Sequence, residues 1–149
     1  MKELNINPDQ LEILEPSYIS RIKRPCFSVS VAAGFPSPAE GSVERTLDLN
    51  EHLIERPAST FFVRVTGDSM IGAGIHDKDL LIVDRSLEAR NNSIVIAIVG
   101  GEFTLKRLKI NKGSIVLVPE NPEFKAIQIN REGDLQIWGV VTNVIHSLK

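Results

Sequence analysis

Apolar residues in this chain come in short runs, each broken by Gly, Asn, Asp or Pro. From residue 43 onward the runs are Thr60–Val65, Leu80–Asp84, Ile94–Val99, Glu102–Lys109, Ile115–Val118, Ala126–Ile129 and Leu135–Ile145. They are rich in valine and isoleucine, which fit a pleated and half-buried surface. Gly100-Gly101, between two of them, predicts a two-residue hairpin turn. Helical spacing is scarce. Leu49, Leu53 and Ile54 predict a short helix ended by Pro57, and Asp9 to Glu15 predicts another, with Leu11 and Leu14 on one side. Short consecutive strands without intervening helices predict a mainly β fold, a compact antiparallel sheet wrapped on itself rather than a βαβ unit. There are no internal repeats.

Residues 1–42 follow another pattern. They hold five of the eight prolines and little sustained periodicity. This stretch predicts a largely extended N-terminal arm, with residues 43–149 forming the β domain. Arg21, Lys23 and Arg24 make a small basic cluster, read as a solvated patch rather than a DNA contact.

Composition narrows the function classes. A chain of 149 residues with 42% apolar content suits one domain with a real core. The net charge of −2 gives no global basic field for nucleic acid, so sequence-specific DNA binding is not expected. The single cysteine, Cys26, excludes an internal disulfide framework. No apolar run reaches the roughly 18 residues needed to span a bilayer. The first residues lack the apolar stretch of a secretion signal. The expectation is a cytoplasmic protein without a membrane anchor and without a cofactor.

The candidate chemistry lies in three segments. Ser69 sits in Val65-Thr66-Gly67-Asp68-Ser69-Met70, a sharp turn after the apolar run Phe61-Phe62-Val63. Lys106 sits in Glu102-Phe103-Thr104-Leu105-Lys106-Arg107-Leu108, which alternates like a strand. A hydroxyl is a weak nucleophile until a base takes its proton, and a lysine kept neutral by burial is such a base. Alternation puts Lys106 on one face with Thr104, Leu108 and Ile110, a half-apolar surface that would desolvate it. Upstream lies Ala32-Ala33-Gly34-Phe35-Pro36-Ser37-Pro38-Ala39. Small residues flank the Ala33–Gly34 bond, and the prolines favour an extended chain. Each segment alone has an ordinary reading: a surface hydroxyl, a solvated charge, a Pro-rich linker. Together they suggest a serine–lysine site and a bond for it to cut.

Other groups carry less. His52, His76 and His146 lie far apart along the chain, without triad or metal spacing, and are expected to be structural or solvent-facing. No metal site is expected. Asp77, Asp79 and Asp84 read as turn-forming carboxylates rather than a cation site. Cys26 reads as a free thiol, buried or semi-buried. Ile137-Trp138-Gly139-Val140-Val141 is strongly apolar and reads as core or as dimer surface.

Gly34-Phe35-Pro36-Ser37-Pro38-Ala39, Gly67-Asp68-Ser69-Met70, Asp79-Leu80-Leu81-Ile82-Val83-Asp84, Glu102-Phe103-Thr104-Leu105-Lys106 and Val118-Pro119-Glu120-Asn121-Pro122 together resemble the UmuD group of LexA-type self-cleaving serine peptidases. The likeness runs from about Ala33 to Val144 in the same order. It implies the β-clip-like domain of that family, with Ser69 as nucleophile, Lys106 as general base, and the backbone N–H groups of Ser69 and Asp68 as oxyanion donors. It implies cleavage of Ala33–Gly34, stimulated by a RecA–single-stranded-DNA filament after DNA damage. It further implies a homodimer that serves a UmuC-type Y-family polymerase in SOS mutagenesis and translesion synthesis. A LexA- or phage-type repressor would need a helix-turn-helix module before the scissile bond, where one weak helical pattern stands. A non-catalytic binding module with a vestigial site is the remaining alternative, and the intact Ser69, Lys106 and Ala33–Gly34 set argues against it.

Overall fold

Eight antiparallel strands run side by side in one curled sheet. The computed structural model describes residues 12–14, 21–27, 34 and 44–149. These fall into two compact units, one drawn from Met1–Pro16 and Arg56–Lys149, the other from Ser17–Glu55.

The larger unit holds the sheet. Its strands are β1 (Glu12–Leu14), β4 (Thr60–Arg64), β5 (Leu80–Asp84), β6 (Ile94–Val99), β7 (Glu102–Asn111), β8 (Ser114–Val118), β9 (Ile127–Ile129) and β10 (Leu135–Ile145). Their order across the sheet is β1-β4-β5-β10-β6-β7-β8-β9. The smaller unit carries a two-stranded ladder of β2 (Arg24–Phe27) and β3 (Glu44–Leu47), then the short helix α1 (Leu49–Leu53). Buried Asp48 caps that helix through Asn50 N–H, at 2.9 Å, and also accepts Ile22 N–H at 3.0 Å.

The strand expectations hold to within a residue or two at their ends. Gly100 and Gly101 have φ of +59° and +81°, the left-handed pair that lets β6 and β7 reverse in two residues. Lys112 and Gly113, at +48° and +80°, make the same kind of turn between β7 and β8 and let both strands run longer than their apolar cores. Two expectations fail. Cys26, expected to be buried or semi-buried, is an exposed free thiol, because the short β2–β3 ladder that carries it leaves its side chain in solvent. Glu12–Leu14, in the middle of the helix expected over Asp9 to Glu15, is a strand that pairs Ile13 with Val63 on β4. The rest of that stretch lies outside the described residues. A helix of about seven residues is marginal in water, whereas the edge of β4 offers ready ladder bonds.

Each sheet face buries its own cluster. Val63, Val65, Met70, Ile75, Leu81, Val83, Ile96, Leu105 and Trp138 make the larger one. Val95, Ala97, Leu108 and Leu117 make the smaller. Trp138 is 8% exposed, tilted against Phe61 (centroids 5.3 Å apart) and edge-to-face with Phe103 (6.0 Å), with the Arg85 guanidinium 4.6 Å over its ring. It is core and not a surface anchor. β10 shifts register between Ile137 and Gly139 against β6, and again between Val141 and Asn143 against β5. These irregularities let one long strand serve two neighbours as the sheet curls. At the first of them a Cβ on Gly139 would lie 2.5 Å from Val83 Cγ1, so only glycine fits there.

Candidate active site

The loop between β4 and β5 carries Ser69. Gly67, at φ +89°, turns the chain, and its N–H donates to Asp77 Oδ1 at 2.7 Å. Met70, 1% exposed, anchors the turn in the larger core cluster. That burial alone is worth about 1.5–3 kcal/mol. A second clamp comes from the segment after β8. Glu120 N–H donates to Ser69 O at 2.8 Å, Gly72 N–H donates to Glu120 O at 2.8 Å, and Asn121 Nδ2 donates to Asp68 O at 2.9 Å. Glu120 is in turn paired with Arg107 on β7. A Cβ at Gly72 would come 2.7 Å from Glu120 O, so the close approach of these two segments requires glycine. The Ser69 loop is thus tied to the strand region that bears Lys106.

Lys106 reaches this loop from β7. Its Nζ lies 3.4 Å from Ser69 Oγ, 2.9 Å from Thr104 Oγ1 and 3.0 Å from Leu105 O. The residue is 8% exposed. Its cross-strand partner is Val95 and its next same-face neighbour is Leu108, both in the smaller core cluster. Burial holds the amine below its ordinary value, and no carboxylate pairs with it among the described residues. A neutral amine has two N–H bonds and one lone pair. In that form Thr104 Oγ1 and Leu105 O would take the two N–H bonds and leave the lone pair toward the Ser69 hydroxyl. Three neighbours therefore fix the position of Nζ beside Ser69 Oγ.

The N–H groups of Asp68 and Ser69 donate to no described acceptor. Gly34 is exposed, and Ala33 lies outside the described residues. Sequence reasoning reached Ser69, Lys106 and Asp68, and noted Thr104 only as a neighbour on the same face. That alternation was the available signal for its contact with Nζ. Asp77 braces its own loop, ten residues from Gly67, and reads in the sequence only as a turn carboxylate; Asn121, 53 residues from Asp68, stands in the motif over 118–122 with no local sign of what it would hold.

The histidine reading changes. His76 and His146 are far apart along the chain but adjacent in space, with ring centroids 4.9 Å apart. Between them stands Asp79, 2% exposed, whose Oδ1 meets His146 Nδ1 at 2.5 Å and whose Oδ2 accepts His76 N–H at 2.8 Å. Burial raises the Asp79 carboxyl, but these bonds and the two imidazoles outweigh it and leave the group below its usual range. Asp84 acts as a turn carboxylate, as expected. It accepts Ser86 N–H at 2.8 Å, Ser86 Oγ at 2.7 Å, Ser59 Oγ at 2.9 Å and Arg56 Nη1 at 3.1 Å.

Comparison with known proteins adds independent evidence. The Peptidase S24-like family matches residues 25–142. Protein ImpA of Salmonella typhimurium is 44% identical over 133 residues, 89% of this chain and 90% of its own. Protein MucA of Escherichia coli is 43% identical over 141 residues, 93% of this chain and 94% of its own. The LexA repressor of Pseudomonas chlororaphis is 41% identical over 116 residues, 77% of this chain and 57% of its own.

Proposed function

The chain belongs to the peptidase S24-like family, and on that premise we propose that it is a self-cleaving SOS regulator in which Ser69 cuts Ala33–Gly34. The observation that carries the reading is the 3.4 Å approach of a desolvated Lys106 Nζ to Ser69 Oγ.

In the proposed reaction Ser69 Oγ attacks the Ala33 carbonyl carbon while Lys106 takes its proton. The N–H groups of Ser69 and Asp68 hold the developing oxyanion. The C–N bond then breaks, and the proton on Lys106 passes to the Gly34 nitrogen. Water, activated by the same amine, releases the acyl group from Ser69. The products are the arm ending at Ala33 and a body of residues 34–149. By resemblance to the UmuD group, a RecA–single-stranded-DNA filament stimulates the cut. The body then works as a homodimer with a UmuC-type Y-family polymerase in translesion synthesis.

Incubation with an activated RecA filament, followed by intact mass and amino-terminal sequencing, tests this. The expected product begins at Gly34 and is absent from Ser69→Ala. A start at another residue would remove the assigned bond, and a Ser69→Ala chain that still cuts would remove the nucleophile.

A further inference from the structure

We propose that His76, Asp79 and His146 form a binding site for one divalent transition-metal ion of the zinc, cobalt or nickel type. One donor atom from each residue lies within 4.8 Å of the other two. The buried carboxylate stands between the rings, with Oδ1 toward His146 Nδ1 at 2.5 Å and Oδ2 toward His76 Nδ1 at 3.7 Å. The second separation is too long for a hydrogen bond. His76 Nδ1 is buried and has no hydrogen-bond partner among the described residues. A buried ring nitrogen left in that state is costly unless something fills the gap. An ion bonded at about 2.0–2.1 Å sets tetrahedral donors roughly 3.3 Å apart. That spacing falls between the two carboxylate–imidazole separations seen here and inside the 4.8 Å that bounds all three donors, so the two rings would draw together by up to about 1.5 Å on binding. His146 has that freedom, since it follows the last residue of β10.

Donor chemistry selects the ion. Two imidazoles and one carboxylate favour zinc-like ions over magnesium or calcium, which prefer all-oxygen sites. The His76 and His146 side chains are 44% and 45% exposed, so ions reach the site from solvent and water completes the coordination. The Asp79 carboxylate is already oriented by the His76 backbone N–H, which donates to Oδ2 and would hold the oxygen in place for an ion.

The site would staple two distant parts of the larger unit. Asp79 closes the stem of the Ser69 loop. Its carbonyl accepts Val65 N–H at 2.9 Å, and Lys78 N–H donates to Val65 O at 2.9 Å. A metal bond would join that stem to the end of β10 and restrain opening of the loop. The inference does not depend on self-cleavage.

Titration of the full-length chain with cobalt(II), read by visible absorption, and with zinc(II), read by calorimetry, tests it. The expected result is one ion per chain, d–d bands without thiolate charge transfer, and a Tm raised by a few degrees. His76→Asn and His146→Asn should each weaken binding at least tenfold, whereas Cys26→Ser and His52→Asn should leave it unchanged. Absence of uptake at millimolar ion overturns the proposal. So does uptake that survives both histidine changes, or uptake lost with Cys26 or His52.

Discussion

Replacing Thr104 by valine should move the pH profile of self-cleavage downward. The change keeps the branched shape and removes the hydroxyl that accepts Lys106 Nζ at 2.9 Å. That hydroxyl stabilises both protonation states, but not equally. A hydrogen bond from a charged donor contributes about 1.5–3 kcal/mol, against about 0.5–1.5 kcal/mol from a neutral one. Losing it therefore costs the ammonium about 1 kcal/mol more than the amine. At 1.36 kcal/mol per pH unit, the midpoint of the rate profile falls by about 0.7 pH unit. Far below the midpoint the neutral fraction rises about fivefold by the same arithmetic. Above it the plateau should drop, because the amine keeps one fewer tether and points less firmly at Ser69 Oγ. Time courses of spontaneous cleavage across neutral to alkaline pH, quantified by intact mass, give both quantities. Thr104→Ser should restore the parent profile. A midpoint that stays put or rises would refute Lys106 as the titrating base, and an unchanged plateau would refute the orienting role of Thr104.

Lys106→Met should be inactive at every pH, and Lys106→Arg likewise, because a guanidinium stays protonated. The stability gap between Lys106→Met and the parent should shrink as pH climbs toward 10.5. With the folded value depressed, the unfolded chain holds a proton that the native state has shed, so the parent alone gains stability with pH in that window. Denaturant melts at stepped pH measure this, and a gap that widens would contradict a desolvated amine. Asn121→Asp keeps the acceptor that takes Glu123 N–H at 3.0 Å but removes the donor to Asp68 O. Cleavage should slow several-fold with little change in Tm, and equal rates would show that this clamp does not position the loop. Gly139→Ala should destabilise by about 1–3 kcal/mol through overpacking against Val83, and Val83→Ala in the same chain should relieve part of the loss. A neutral Gly139→Ala would mean that β10 shifts freely at its first irregularity.

Much of the molecule was legible from local pattern. Strand positions follow from valine- and isoleucine-rich runs of period two, and the β6–β7 reversal from two adjacent glycines, because each depends on residues a few positions apart. Ser69 and Lys106 stand out as candidates for the same reason: a sharp Gly-Asp-Ser turn and a lysine within an alternating strand are local signatures, and the fold brings the two within 3.4 Å. Tertiary structure decided the rest. β1 became a strand because β4 had an open edge, a fact absent from residues 12–14. Trp138 went to the core because Phe61, Phe103 and Arg85 converge on it from three other segments. Lys106 lost its solvent to Val95 across the ladder, and Thr104 and Leu105 fixed the position of its Nζ. His76 and His146 read as unrelated because no periodicity links positions so far apart. Only the antiparallel run of β10 beside β5 carries the end of the chain back to Asp79, where two imidazoles meet one buried carboxylate.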